Sequence, residues 1–226
     1  MEPFLLGWWH PSPSCSMSGA RKFTAELLGT MILTYAVGAA SIGDLPVPLL
    51  AAVTLGVLVY LFGGISGAHL NPAVSVGLWS AGKLPAIDTA RYVLAQICGA
   101  VLALVAFVAQ AADSLPPVFL GSLPEFLGEA IGAFILVFTV ASVVAGRIKE
   151  DASGIAIGGS LLVGVTIAMP LSNGVLNPAV AIGIGSLSVS HVAGPIVGGI
   201  IAANLAQWFT VERGGKFVKL LRGKRG

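Results

Sequence analysis

The sequence predicts an all-α membrane protein in which six transmembrane helices and two re-entrant half-helices form an inverted repeat. Three observations point to it. Of 226 residues, 56% are hydrophobic and only 10% charged, against roughly 25% charged in a soluble domain, and the mean hydropathy is +0.93. The apolar residues fall into six runs long enough to cross a bilayer and two that are too short. Each short run begins with the same four residues, Asn-Pro-Ala-Val, at Asn71 and at Asn177.

The six long runs cover about 22–42, 49–66, 89–110, 125–146, 154–171 and 191–211. About 20 residues are needed to cross a hydrocarbon core of about 30 Å, so these are read as spans one to six. The short runs, about 71–80 and 177–186, would form helices of roughly 15 Å at about 1.5 Å per residue. That is half a membrane, so each must enter and leave on the same side.

Basic residues orient the spans, because Lys and Arg in short loops stay on the cytoplasmic side. With alternating spans, all 12 fall on one face. Arg21 and Lys22 precede span one, Lys83 and Arg91 lie between spans two and three, and Arg147 and Lys149 between four and five. Arg213, Lys216, Lys219, Arg222, Lys224 and Arg225 follow span six. The opposite loops, about 41–48, 111–124 and 172–190, carry Asp44 and Asp113 but no Lys or Arg. Both termini are therefore expected in the cytoplasm. The net charge of +2 gives no reason to expect a nucleic-acid partner, and the partner implied is the lipid bilayer. The basic run from Lys216 to Arg225 anchors the topology, or also binds anionic headgroups at about 1 kcal/mol per basic residue.

The opening stretch MEPFLLGWWHPSPSCSMSG has neither a basic start nor a continuous apolar core, so it does not read as a cleaved signal peptide. Trp8 and Trp9 suit the membrane interface. Cys15, in this stretch, and Cys98, inside span three, are read as free thiols, Cys98 as a packing residue.

Internal repetition is visible when the motifs are superposed. AELLGTMIL (25–33) matches GEAIGAFIL (128–136) through Glu-x-x-Gly followed by Ile-Leu, and YVLAQICGAVLA (92–103) matches HVAGPIVGGIIA (191–202) through its small residues. Each half, about 22–110 and 125–211, holds three spans and one short helix. Three is odd, so the second copy enters from the other side of the membrane and the repeats have inverted topology. The short helices then dip in from opposite faces, and their Asn-Pro-Ala starts meet near the midplane.

The motif suits that place. Asn caps a helix with its side-chain oxygen while its amide nitrogen remains a donor, and Pro fits the first helical position, where no N–H is needed. Ala and the small or β-branched residues after it allow the half-helices to approach closely. Each helix start carries about half a positive charge. Two facing starts at the bilayer centre oppose any cation while the Asn amides offer hydrogen bonds to a neutral solute.

With SGAHLNPAV (66–74) and VLNPAVAIG (175–183) both intact, the chain resembles the major intrinsic protein family, the aquaporins and glycerol facilitators, over essentially 22–211. The resemblance implies a right-handed six-helix bundle with one pore per subunit, usually a homotetramer, passing water or small uncharged solutes. It implies neither enzymatic activity nor a cofactor. The pore motifs are then Asn71, Pro72, Ala73, Asn177, Pro178 and Ala179. Residues 1–21 become an N-terminal cytoplasmic segment and 212–226 a basic cytoplasmic tail.

Glu26 and Glu129 are carboxylates within spans, costly there by about 2.5–3.5 kcal/mol on insertion scales. They are read as supports that accept hydrogen bonds from the irregular backbone before each half-helix; a proton relay is the alternative. His69, two residues before Asn71, is read as a structural hydrogen-bonding residue lining the path, with a pH gate as the alternative. His191, opening span six, is read as a cap or as facing the outer interface.

The departure from the family pattern is Val180. Water-selective members usually carry Arg after the second motif, joined at the narrowest point by an aromatic on span two, a His on span five and a residue of the outer loop. Counting from the motifs without gaps puts these places at Ala51, Val165 and Gly174, with Ala52 and Val53 as neighbouring choices on span two. All are small or aliphatic. The glycerol-facilitator pair Arg-Asp is absent too, Val180-Ala181 standing there. The expectation is a wide apolar filter for water, glycerol, urea, peroxide, ammonia or gases. The alternatives are a proton-coupled transporter, for which titratable groups are too few, and a poorly conducting scaffold or junction protein with the same bundle.

Overall fold

The structure is a computed structural model describing residues 18–43, 45–111 and 120–222, with the backbone alone at 42, 109–111 and 211–222. The expectations for Trp8, Trp9 and Cys15, for Asp44 and Asp113, and for Lys224 and Arg225 lie outside the described residues.

Helix α1 (Gly19–Ile42) starts at Ser18, whose Oγ accepts from Arg21 N. Helix α2 (Val47–Ser66) ends at Gly67 in the left-handed conformation, which frees the chain to turn back into the bundle. The first half-helix, α3 (Pro72–Ser80), is followed by α4 (Ala86–Ala111). Helix α5 (Leu123–Val144) opens on a capping box in which Glu125 N donates to Ser122 Oγ and Ser122 N to Glu125 Oε2. One 3-10 turn at Glu150–Ala152 leads into α6 (Ser153–Ala168). The second half-helix is α7 (Pro178–Gly183), and α8 (Val189–Arg222) closes the described chain. Among the described residues, six helices are long and apolar enough to cross a membrane.

Two elements depart from their expected limits. The second half-helix, expected to reach 186, stops at Gly183. Gly185 takes φ +75 and Ser186 N donates back to Ala181 O at 2.9 Å, the six-to-one bond that terminates a helix. The last span, expected over 191–211, starts at Val189 and stays helical to Arg222, well into the stretch read as a tail.

Packing follows the repeat. Helix α1 lies against α4 and α5 against α8, while α2 and α6 join the halves. Their join is close because Gly56 and Gly158 face each other's backbone, and a Cβ on Gly158 would lie 2.5 Å from Ala52 O. Each half-helix packs on the third span of the other repeat, α3 on α8 and α7 on α4. A Cβ on Gly77 would meet Gly199 O at 2.7 Å, and one on Gly183 would meet Ala100 O at 2.8 Å. The small residues of the motifs therefore serve these two crossings. The expected close approach of the half-helices to each other is slight, each packing instead on a long helix of the other repeat.

Candidate functional site

Between α2 and α3 the chain is irregular, and its donors need partners that lipid cannot supply. Glu26 provides them. Its Oε1 accepts from His69 N at 2.9 Å and Ser66 Oγ at 2.6 Å, and its Oε2 from Leu70 N and Gln96 Nε2, both at 2.7 Å. All four lone-pair directions of the carboxylate are occupied by donors. Tyr92 braces the same loop by donating to Ser66 O at 2.6 Å.

The second loop repeats the arrangement. Glu129 Oε1 accepts from Ser172 Oγ at 2.8 Å and Val175 N at 2.9 Å, and Oε2 from Leu176 N at 2.6 Å. Ala68 N donates to Ser66 Oγ in one loop as Gly174 N donates to Ser172 Oγ in the other. Both Glu26 and Glu129 are fully buried.

The Glu-x-x-Gly pattern shared by α1 and α5 now has a physical reason. Three residues after each glutamate, and so on the same helix face, a glycine leaves room for the leucine that precedes the motif. A Cβ on Gly29 would lie 2.5 Å from Leu70 Cδ2, and one on Gly132 2.4 Å from Leu176 Cδ2. Both leucines are held in the left-handed region, at φ +50 and +56, a conformation that costs a non-glycine residue about 1–2 kcal/mol.

That backbone turn aims each leucine carbonyl at the asparagine of the other motif. Asn71 Nδ2 donates to Leu176 O at 3.0 Å, and Asn177 Nδ2 donates to Leu70 O at 2.9 Å. Each Asn Oδ1 caps its own half-helix, Asn71 from Ala73 N at 2.8 Å and Asn177 from Ala179 N at 3.0 Å. Pro72 and Pro178 occupy the first helical positions, and Ala73 and Ala179 are wholly buried. An amide nitrogen has two hydrogens, so each Asn keeps one N–H uncommitted.

Both asparagines line one cavity of about 480 Å³. It extends from Ser41, Pro48 and Ser186 at one end to Val140 and Ile157 at the other, and its wall is mainly aliphatic. Ala51, Val165, Gly174 and Val180 all line it. Of the three candidates on α2, Ala51 lines the cavity, beside Val47, Pro48 and Leu55, whereas Ala52 does not and Val53 is 54% exposed. His69 lines it as well, its Nδ1 lying 3.1 Å from Ser75 Oγ. Ser75 Oγ also accepts from Gln96 Nε2 at 3.0 Å, and the same Nε2 donates to Glu26, so the ring of His69 is tied into the glutamate cluster.

His191 departs from its expected place. It is buried and not at the interface, and it is Ser188 that does the capping, its Oγ accepting from His191 N at 3.2 Å, while the ring reaches Glu125, Ser188 and Asn173. Sequence reasoning missed Gln96 and Tyr92, Ser66 and Ser172, and the Asn173–Ser186 pair. The serines were within reach, since SGAHL and SNGVL align on them; His191 also aligns with Tyr92, the brace of the other loop. Cys98, half-buried on α4, is a free thiol and is not among the cavity-lining residues.

The family model "Major intrinsic protein" matches residues 13–206. Aquaporin Z of Bradyrhizobium diazoefficiens is 29% identical, the match covering 85% of this chain and 94% of that protein. Glycerol uptake facilitator protein-like 6 of Lactiplantibacillus plantarum is 34% identical over 83% of this chain and 97% of that protein. Among solved structures, the aquaglyceroporin from Plasmodium falciparum superposes with a TM-score of 0.67 at 23% identity, covering 84% of this chain and 96% of that one.

Proposed function

Since the chain belongs to the major intrinsic protein family and is thus a multi-pass membrane channel for water or small solutes rather than an enzyme, we propose that it passes small uncharged solutes through a wide apolar filter and excludes cations at the paired asparagines. The observation that carries this reading is the crossed pair of bonds from Asn71 to Leu176 O and from Asn177 to Leu70 O. They hold two uncommitted N–H donors side by side in the wall of an otherwise aliphatic cavity. A passing molecule must offer an oxygen or nitrogen lone pair to both. A water so held points its hydrogens away from the motifs, which interrupts any hydrogen-bonded relay of protons. A cation has no lone pair to offer and meets the positive starts of α3 and α7.

Ala51, Val165, Gly174 and Val180 form the filter in this reading. With neither guanidinium, imidazole nor aromatic ring among them, the passage is wider and less polar than a water-selective one, and glycerol and urea pass with water. Glu26, Glu129 and His69 act as supports. Both termini are cytoplasmic, and the assembly is a homotetramer with a pore in each subunit.

Stopped-flow volume changes of proteoliposomes test the proposal. The expected result is water, glycerol and urea flux well above empty vesicles with no proton or sodium leak. Flux equal to empty vesicles would establish the scaffold alternative instead.

A further inference from the structure

The outer end of the cavity carries a polar cluster that the paired motifs do not use. Asn173 lies before α7 and Ser186 after it; both line the cavity, and Asn173 Nδ2 donates to Ser186 Oγ at 2.9 Å. Behind them stands His191 on α8, its Nε2 hydrogen-bonded to Asn173 Oδ1. On the other side of the ring, Nδ1 lies 2.8 Å from Glu125 Oε1 and 2.8 Å from Ser188 Oγ.

Hydrogen-bond bookkeeping assigns the protons. Ser188 Oγ donates to Glu125 Oε1 at 2.8 Å, so its hydrogen is not available to the ring. Nδ1 thus faces two acceptors and must carry a hydrogen itself. Nε2 is the position that gains or loses a proton. When it is protonated it donates to Asn173 Oδ1, and the amide nitrogen is left to donate to Ser186, as described above. When it is bare it needs a donor, which Asn173 supplies only by turning its amide over. Asn173 Oδ1 then accepts from the Ser186 hydroxyl.

Building on the channel reading above, we propose that His191 is a positioning residue that sets the direction of the Asn173 amide at the outer mouth, so that Asn173 and Ser186 form a solute-recognition site whose donor pattern follows the external pH. In acid the Ser186 hydrogen is free to meet a solute oxygen; in alkali it is taken by Asn173. The charged groups facing His191 are Glu125 Oε1 and, 3.6 Å from Nε2, Glu129 Oε1, both from α5. The loop at 172–190, which includes α7, and α3 contain no charged residue. The cytoplasmic loop has no counterpart to this switch: there Tyr92 and Gln96 do the bracing, and Pro195 stands where the repeat would place Gln96.

The test is the ratio of glycerol to water permeability of the full chain in proteoliposomes at about pH 5.5 and about pH 8. In wild type the ratio should differ by about fivefold, the factor that one net hydrogen bond of about 1 kcal/mol represents. His191→Gln keeps a donor to Asn173 without a titrating proton and should make the ratio independent of pH. Ser186→Ala removes the group the amide turns toward, should flatten the response as well, and serves if His191→Gln does not fold. An unchanging ratio in wild type overturns the proposal. So does a pH response that survives in either folded variant, which would assign it to another group such as His69. Wild-type flux equal to empty vesicles would instead remove the channel reading on which this one rests.

Discussion

Asn177 donates its side-chain amide to the main-chain carbonyl of Leu70, 107 residues earlier in the chain. With the reciprocal bond from Asn71 to Leu176 O, it ties the two repeats together at the point where each half-helix begins. Asp in either place keeps the capping oxygen but turns the cross-bond into two facing acceptors, one of them charged. Asn71→Asp and Asn177→Asp should each lose about 1–3 kcal/mol of stability, the usual cost of a buried polar group left unpaired. They also set a negative charge against the helix starts. Raised sodium or proton leak in proteoliposomes is the expected readout, and unchanged leak in both variants would count against the central barrier.

The glutamates are expected to be structural in a way that transport assays alone would not reveal. Replacing Glu129 with Gln points an N–H₂ group at a site where every neighbour, Ser172 Oγ, Val175 N and Leu176 N, is a donor. Hydrogen bonds to a charged group are worth roughly 1.5–3 kcal/mol each. Glu129→Gln and Glu26→Gln should both unfold more readily on heating in detergent. If either carboxylate belonged to a proton relay instead, its Gln variant would melt like wild type while altering a pH-driven flux.

Gly29 and Gly132 make a matched pair for a second stability measurement. A Val at either position places carbon inside the space now held by Leu70 or Leu176. Both leucines are fully buried with their N–H and C=O groups committed, so only their side chains can give, and a Cβ on Gly132 would also lie 2.8 Å from Gly164 O. Each substitution should cost about 1–3 kcal/mol, as overpacking does. A thermal midpoint unchanged in Gly132→Val would show that Leu176 is less firmly held than its bonds indicate.

How far the molecule was legible in advance depended on the range of the interaction. The six spans follow from local hydropathy, and the paired motifs and Glu-x-x-Gly from repetition, so all were readable. The end of α7 at Gly183 was not, because apolar residues continue to Ile184 and only the left-handed Gly185 breaks the pattern. His191 was misplaced for a different reason. Its partners Glu125 and Asn173 come from another helix and a loop, and nothing in the pattern around residue 191 reports that they converge. The leucine carbonyls that receive the asparagine amides are main-chain groups, and no side-chain pattern identifies which main-chain groups become acceptors.

Mercurials offer a probe of the cavity wall. Cys98 is half-buried on α4 and is not among the cavity-lining residues, so wild-type flux should be weakly inhibited. Gly174 is a poor place for an engineered thiol, since its φ is +67 and a Cβ would lie 2.9 Å from Val165 O. Val165→Cys is the better choice, because the side chain already faces the cavity. It should confer mercurial block reversible by reductant. Strong inhibition of wild type that disappears in Cys98→Ala would place α4 in the wall instead.

Val180→Arg tests the filter most directly. Val180 sits in the first turn of α7, its N–H 3.4 Å from Asn177 Oδ1 and its side chain on the cavity. A guanidinium there adds positive potential and five N–H donors, so cations should stay excluded. It also adds bulk, so glycerol flux should fall more than water flux. The groups around it, Ala51, Val165 and Gly174, offer no aromatic face or imidazole to hold the side chain across the lumen, and a long Arg can instead extend toward water at the mouth. Val180→Arg alone should therefore sharpen selectivity only in part. Adding His at Val165 and an aromatic at Ala51 should complete it. The measurement is the glycerol-to-water permeability ratio in wild type, the single variant and the triple variant. If wild type already excludes glycerol as completely as the triple variant, the filter is narrow for a reason other than these four side chains, and the wide-filter reading is wrong.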